Sequence, residues 1–288
     1  TVTFAFIIIL LFAELYSRGS KRFNDTSRRQ AIQHAKPLVG TKSFICILIC
    51  LIPIGFGFFI PVGILLWNVI MTADMAALEE VWSVLQNSVY VSVIGAFIIM
   101  LSAITIASSS KVHANKSLRI AGNLSAAGYA FPGTMLAIGV LSCLGAVDQL
   151  LSWTSIYLSG TLFALFFAYL VRFQAVGYGA VSSGLTKIPL NLMSCSRSLG
   201  LNAQQTTLRV TIPLIQKPII AGAVLAFVDI MKELPMTLLL RPFNFETLAT
   251  YSYQFAHDEL MDQASLPALI IIVVGLVPVI FLNKLLRA

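Results

Sequence analysis

The chain has 288 residues, of which 58% are hydrophobic and 11% are charged, and its mean hydropathy is +0.88. Soluble domains carry about 25% charged residues, so this composition excludes an ordinary soluble protein and predicts a membrane protein. The formal net charge of +7 does not indicate a nucleic-acid partner, because such binding needs Lys and Arg clustered among aromatic residues.

The chain opens on an apolar run at residues 2–16, directly after Thr1. No charged segment precedes this run, which argues against a signal peptide. We interpret residues 1–43 as the end of a preceding transmembrane helix followed by a basic cytoplasmic linker. On this interpretation the sequence either starts inside a longer polypeptide or has lost an amino-terminal part.

Seven apolar runs come close to the length of about 20 residues that a helix needs to cross a bilayer. They lie at about 2–16, 44–70, 88–110, 126–147, 154–172, 216–240 and 265–284. The runs are continuous instead of alternating, which favours helices over barrel strands. The sequence therefore predicts an all-α membrane protein with about seven transmembrane helices.

The connections between the runs alternate between basic and acid-rich. The acid-rich ones are 71–87, the turn near Asp148 and 241–264. The basic ones are 17–43, 111–119, the tail, and 172–217 with Arg172, Lys187, Arg197, Arg209 and Lys217. Basic loops stay in the cytoplasm by the positive-inside rule, so we expect a cytoplasmic carboxyl terminus.

The long connection 173–217 has the turn residues of two short helices. Pro189 can start the first helix and Gly200 can end it, because glycine readily adopts the left-handed conformation after a helix. Asn202, with Gln205 three residues later, is a capping-box pattern for the second. Two such helices form a compact knob that can fit a groove on another protein, and the alternative is a helix pair lying on the inner leaflet.

A charged patch lies inside the apolar run 216–240, where Asp229, Lys232 and Glu233 are followed by Pro235. Asp229 is about 16 Å along a helix that starts near Pro218, which is close to the bilayer centre. Charges at that depth usually face a cavity or a partner. The spacing predicts that all three share one face, with Lys232 paired to Asp229 or to Glu233. The patch is expected to line a translocation path or a subunit interface, and a neutralising pair within the helix is the alternative.

The segment 194–213 resembles the coupling loop of the permease subunits of ABC importers, E-A-A-x3-G-x9-I-x-L-P. Gly200 takes the glycine, and Ser194, Cys195 and Ser196 replace Glu-Ala-Ala, so one ion pair of the family's interface cannot form. In the family this loop docks on a cytoplasmic ATPase and transmits its closure. The resemblance therefore implies an ATPase-coupling role for Ser194, Cys195, Ser196, Arg197, Gly200, Val210, Ile212 and Pro213.

The stretch from Asp229 to Phe243, its continuation 245–250, and Tyr129-Ala130-Phe131-Pro132-Gly133 resemble the ferric-iron branch of these permeases. The similarity covers about residues 80–288. It implies a type I ABC importer permease fold, with residues 44–288 as a six-helix permease domain and the loop 173–217 as its coupling element. Many members of this branch fuse two permease halves, so the chain is expected to be a carboxy-terminal half.

The same resemblance implies the partners and the location. We expect a cytoplasmic ATPase dimer that holds ATP and Mg²⁺, a soluble substrate-binding protein outside, and a second permease half in the same polypeptide or in a second copy. The chain itself is expected to bind no cofactor and to lie in a bacterial cytoplasmic membrane.

No phosphate-binding G-x4-G-K-[ST] run occurs, so the chain is not expected to hydrolyse nucleotide itself. Cys46, Cys50, Cys143 and Cys195 have neither metal-ligand nor disulfide spacing. The group His257-Asp258-Glu259, with Tyr251 and Tyr253, offers ligands for ferric iron, but a solvated acidic loop explains it as well, and no metal site is assigned.

Two alternatives to a ferric-iron permease stay open. The first keeps the architecture and changes the cargo to thiamine, a polyamine, a phosphonate or another small solute. The second is an ion-coupled secondary transporter with Asp229, Lys232 and Glu233 as its relay. Such transporters usually carry broken helices in two internal repeats, and the sequence offers only one charged, interrupted run.

Overall fold

A computed structural model describes residues 40–72, 75–113, 120, 122, 124–125, 127–154 and 157–287. The predicted first span at 2–16 and the basic linker up to residue 39 lie outside these residues. The chain divides into two compact units, residues 1–55 and 56–288. The described part of the first unit is helix α1 (Thr41–Ile54) with the residues that flank it.

The second unit contains eleven labelled helices among its described residues. They are α2 (Ile60–Thr72), α3 (Met75–His113), α4 (Gly133–Leu150), α5 (Leu162–Thr186), α6 (Leu190–Ser198), α7 (Ala203–Thr206), α8 (Ile212–Leu214), α9 (Gln216–Met231), α10 (Pro235–Leu240), α11 (Leu248–His257) and α12 (Met261–Arg287). The described residues also include two π-helical turns, Gly55–Phe59 and Thr207–Thr211, and two short 3₁₀ turns, Ala127–Ala130 and Ser152–Thr154. The described residues contain no strand, which confirms the predicted all-α class.

Five helices are long and apolar enough to cross a membrane. They lie at Ser43–Thr72, Leu78–Ser109, Gly133–Leu150, Leu162–Thr186 and Met261–Lys284. A sixth span arises when Ala203–Leu214 and Gln216–Met231, which meet at a bend of 78°, are counted together. The described part of the chain therefore has five spans, or six with this bent pair, where the sequence predicted six after residue 43.

α5 is longer than the predicted fifth span, which ended at residue 172. It continues to Thr186 because Phe173, Gly177, Val181 and Leu185 recur every fourth residue and are all buried. Arg172 therefore lies in the middle of a membrane helix, about 15 Å from its start, and not in the cytoplasmic loop. The first part of the loop predicted at 173–217 is likewise helical.

The predicted sixth span, 216–240, is not one helix. α9 ends at Met231, and α10 begins at Pro235. Proline has no backbone N–H to donate to the carbonyl of Met231, so the helix cannot continue regularly through this point.

α5 packs against both α3 and α9, and the largest cluster of buried side chains joins these helices to α4 and α10. Glycines allow the close approach. A Cβ at Gly177 would lie 2.8 Å from a methyl group of Ile99, and a Cβ at Gly222 would lie 2.8 Å from Ala180. The outer faces keep large apolar side chains exposed, as a lipid-facing surface requires, among them Phe97, Ile138 and Phe281.

Candidate functional site

The predicted docking segment folds as two short helices that meet at a glycine turn. α6 follows Pro189 and ends at Ser198, and Gly200 adopts a left-handed φ of +89°. This conformation lets the backbone N–H of Leu201 donate to the carbonyl of Ser196 at 3.2 Å, which satisfies the end of the helix. The predicted start at Pro189 and stop at Gly200 are confirmed.

The second helix, α7, carries the predicted capping box. The backbone N–H of Gln205 donates to Oδ1 of Asn202 at 2.8 Å, and the N–H of Asn202 donates to Oε1 of Gln205 at 3.0 Å. The two helices are joined by Ser196, whose Oγ donates to Oγ1 of Thr206 at 3.2 Å with both side chains buried. We refer to residues 190–206 as the knob.

The knob presents several of the predicted site residues to its surroundings. Cys195, Arg197 and Gly200 are exposed, and Leu199 is 84% exposed at the turn. The side chain of Ser194 lies outside the described part of the chain. The remaining predicted residues follow the knob, with Val210 and Ile212 partly buried and Pro213 exposed.

The chain bends by 78° at Ile215, between the knob and α9. The helical run passes through Pro213 and bends two residues later. Ile215 is only 1% exposed and packs in a cluster with Ala103 and Val181 from α3 and α5. We call this bend the elbow (residues 212–218), and it fixes the knob to the core of the second unit.

The elbow depends on a small residue in α5. A Cβ at Gly184 would lie 2.9 Å from Cγ of Pro218 and 3.2 Å from Cβ of Ile215. The start of α9 therefore touches the backbone of α5, and a displacement of the elbow must move one of these two helices.

The break between α9 and α10 is held by Glu233, which is 7% exposed. Its Oε1 accepts from the backbone N–H of Met236 at 3.3 Å, and its carbonyl accepts from Oγ1 of Thr237 at 2.7 Å. The hydroxyl of Thr237 also contacts that of Tyr169 on α5 at 2.6 Å. Glu233 thus satisfies the start of α10, and Thr237 ties that helix to α5.

Arg172 on α5 is the partner of Glu233. Its Nη1 lies 3.7 Å from Oε1 of Glu233, and the side chains are 21% and 8% exposed. Within the described residues, Nε and Nη1 of Arg172 are buried without a hydrogen-bond partner. Sequence reasoning missed this pair because it placed Arg172 in a loop, although the four-residue spacing of buried side chains after Arg172 signals the longer helix.

Asp229 and Lys232 form a second, separate pair, with Nζ of Lys232 2.9 Å from Oδ1 of Asp229. Of the two partners that the sequence allowed for Lys232, the structure selects Asp229. The predicted shared face is wrong, because α9 ends at Met231 and the chain then turns. The Lys232 side chain is 62% exposed, whereas Glu233 is buried on the side of α5.

The segment before α4 crosses α5 at very close range. A Cβ at Gly128 would overlap the backbone carbonyl oxygen of Val171, and a Cβ at Gly133 would overlap Nη1 of Arg172. The same Cβ at Gly133 would lie 3.0 Å from Oε1 of Glu233. We refer to Gly133, Arg172 and the break 232–234 as the polar junction, since three chain segments meet there.

The residues considered for iron lie around α11. Burial, together with a hydrogen bond to Glu80, raises the pKa of Tyr251 to about 12, which opposes the deprotonation that a phenolate ligand needs. The His257 and Asp258 side chains are exposed, with Nδ1 and Oδ1 3.4 Å apart. Among the described residues, no three His, Cys, Asp or Glu side chains lie close enough to hold a metal ion.

Residues 103–288 match the family model described as binding-protein-dependent transport system inner membrane component. A curated relative, the Fe(3+)-transport system permease protein FbpB 2 of Haemophilus influenzae, is 24% identical over 301 residues. The alignment covers 98% of this chain and 55% of the relative, so the chain spans about half the length of that protein.

Solved transporters share the fold. A bacterial alginate ABC transporter, in complex with an alginate pentasaccharide-bound periplasmic protein, gives a TM-score of 0.68 at 17% identity, covering 85% of this chain and 94% of that chain. The inward-facing MetNI methionine ABC transporter gives a TM-score of 0.55 at 16% identity, covering 75% and 98%. At these identities the likeness concerns the fold alone, and it confirms the predicted permease fold of type I ABC importers.

Proposed function

The chain belongs to the family of binding-protein-dependent transport system inner membrane components, and from this premise we propose that it carries ferric iron across a bacterial cytoplasmic membrane. The observation that supports ferric iron as the cargo is the alignment with the Fe(3+)-transport permease, which extends over 98% of this chain. The sequence stretches around Tyr129–Gly133 and Asp229–Phe243 support the same branch of the family.

The energy source in this proposal is a separate ATPase that binds the knob. The knob is a compact, capped element whose exposed residues, Cys195, Arg197 and Leu199, are free to meet a partner's groove. Its attachment at the buried Ile215 couples any displacement of the knob to α9. ATP and Mg²⁺ belong to the ATPase in this scheme, and this chain contributes no catalytic group.

The proposed orientation follows from the charges. The knob and the carboxyl terminus lie on the cytoplasmic side, where Lys187, Arg197 and Arg209 satisfy the positive-inside rule without the help of Arg172. The connection with Glu246, Asp258 and Glu259 then faces outward, towards a soluble protein that delivers the iron.

The polar patch of Asp229, Lys232, Glu233 and Pro235 is proposed to line the translocation path. Charged side chains in hydrocarbon are costly and usually face a cavity or another chain. Because this chain spans about half of its curated relative, we propose that a second permease half supplies the opposite wall, either in the same polypeptide or in a second copy.

Uptake of radiolabelled ferric iron tests the proposal. Cells that make the full-length polypeptide with its receptor and ATPase should accumulate iron, and a substitution that inactivates the ATPase should abolish the accumulation. Accumulation of thiamine, a polyamine or a phosphonate in place of iron would support the permease function but show that the cargo is not iron. Iron uptake that persists without ATPase activity would instead favour an ion-coupled transporter.

A further inference from the structure

The polar junction joins three parts of the chain that are distant in sequence. Arg172 comes from the middle of α5, Glu233 from the break between α9 and α10, and Gly133 from the start of α4. Gly133 contributes the space that the two charged side chains occupy, since a side chain at this position would overlap Arg172. At the polar junction, the absence of a side chain at Gly133 leaves room for the Arg172–Glu233 ion pair beside the break between α9 and α10.

The charged groups of Arg172 and Glu233 are near each other but too far apart to form a hydrogen bond. Charge-assisted N–O hydrogen bonds are about 2.7–2.9 Å long, whereas Nη1 of Arg172 is 3.7 Å from Oε1 of Glu233. Two guanidinium nitrogens of Arg172 are buried and make no hydrogen bond within the described residues. A movement of α10 towards α5 by about 1 Å would complete a hydrogen bond between the two charges, and the opposite movement would separate them.

We propose that Arg172 is a positioning residue that acts through Glu233, and that this ion pair closes and opens as the transporter changes between its conformations. The inference rests on the proposed transport function. Arg172 attracts the Glu233 carboxylate and so keeps it at the start of α10, where it accepts from Met236. While the pair is closed, it adds to the Tyr169–Thr237 contact in holding the break against α5, and when the pair opens, one of these two polar ties between α5 and α10 is lost.

Opposite charge is the property that this role requires. Two uncharged side chains of similar volume fill the same space and avoid the desolvation cost, and they are often no less stabilising than a buried ion pair. A purely structural pair should therefore tolerate neutral replacement of both partners. A pair that works through attraction should not.

Two variants separate these cases in the uptake assay. Arg172→Lys keeps the positive charge and should retain most of the iron uptake. The double variant Arg172→Gln/Glu233→Gln removes both charges and leaves no unpaired charge in the membrane, so it should still insert and fold. Glutamine has the length of glutamate but is shorter than arginine, and Arg172→Lys, which also shortens this side chain, is the control for length. We expect its uptake to fall about tenfold at equal protein level, and uptake at the wild-type rate would overturn the inference.

A second readout does not depend on the cargo. The backbone amide of Met236 donates to the Glu233 carboxylate, so its hydrogen exchange reports where that carboxylate lies. In the purified full-length polypeptide in lipid nanodiscs, the single variant Arg172→Gln, which keeps the Glu233 carboxylate, should exchange this amide about tenfold faster than wild type. Arg172→Lys and the surface control Lys284→Gln should leave the rate unchanged.

The two readouts distinguish failure of the inference from failure of the proposed cargo. If the wild-type protein takes up no iron but the exchange at Met236 changes as expected, the cargo is wrong and the positioning role of Arg172 stands. If wild-type uptake is normal and the exchange rate is the same in Arg172→Gln as in wild type, Arg172 does not position Glu233 and the inference is overturned.

Discussion

Gly133 lies so close to Arg172 that a methyl group at position 133 would overlap Nη1 of the guanidinium. The overlapping atom is the far end of a flexible side chain, so the guanidinium can move aside. We therefore predict that Gly133→Ala disrupts the ion pair between Arg172 and Glu233 and leaves the fold intact. We expect a protein that inserts normally and whose transport activity is about tenfold lower. Uptake normalised to the membrane level of the protein measures this.

The control for this substitution is Gly139→Ala in the same helix. A Cβ at Gly139 meets no atom within 4 Å, so it should leave activity and stability unchanged. Equal uptake by the two alanine variants would show that the space at position 133 does not matter for transport.

Gly128→Ala should behave differently, because its Cβ would overlap the backbone carbonyl oxygen of Val171. A backbone atom inside a packed helix cannot rotate away, and overpacking of this kind costs about 1–3 kcal/mol. We therefore expect a lower unfolding temperature of the purified protein and less of it in the membrane. Gly145→Ala, whose Cβ meets nothing within 4 Å, is the matched control, and an unchanged unfolding temperature for Gly128→Ala would contradict the close crossing at α5.

The left-handed turn at Gly200, with its φ of +89°, leads to a prediction about the ATPase. An alanine there has a Cβ that disfavours this conformation by about 1–2 kcal/mol, so the knob of Gly200→Ala should rearrange. We expect weaker binding of the ATPase subunit in a pull-down with purified components, and correspondingly lower uptake. Gly179→Ala, an exposed glycine within α5 whose Cβ has free space, should bind the ATPase like wild type.

Cys195 offers a direct test of the side on which the knob lies. Its thiol is exposed on α6, and in a variant with Cys46, Cys50 and Cys143 replaced by alanine it is the remaining thiol of this chain. A membrane-impermeant maleimide should label it in inside-out vesicles but not in intact spheroplasts. Prior assembly with the ATPase should slow the labelling, and labelling from the outer face would invert the proposed orientation.

The elements that the sequence predicted correctly are those with local signals. Pro189, Gly200, Asn202 and Gln205 define the two helices of the knob through backbone preferences and caps that act within a few residues. The number of spans after residue 43 follows from apolar length alone. Such signals do not depend on how distant parts of the chain pack.

The polar junction depends on packing between distant residues, and the sequence predicted it only in part. The charges at Asp229, Lys232 and Glu233 were visible, but the partner of Glu233 lies on another helix and was assigned to a loop. One charged residue in an apolar run looks like the end of a span when charge is the only criterion. Arg172 is tolerated inside the membrane because Glu233 lies opposite it, and that relationship exists only after folding.

α9 is a continuous helix of 16 residues, about 24 Å long, with the elbow at one end and the break at the other. A rod that is jointed at both ends can swing as a lever without bending its own hydrogen-bonded backbone. In the proposed function, a push on the knob tilts the whole segment and moves its far end past α5. The stiffness of α9, which its continuous helical hydrogen bonds provide, determines how much of a movement at the elbow reaches the break.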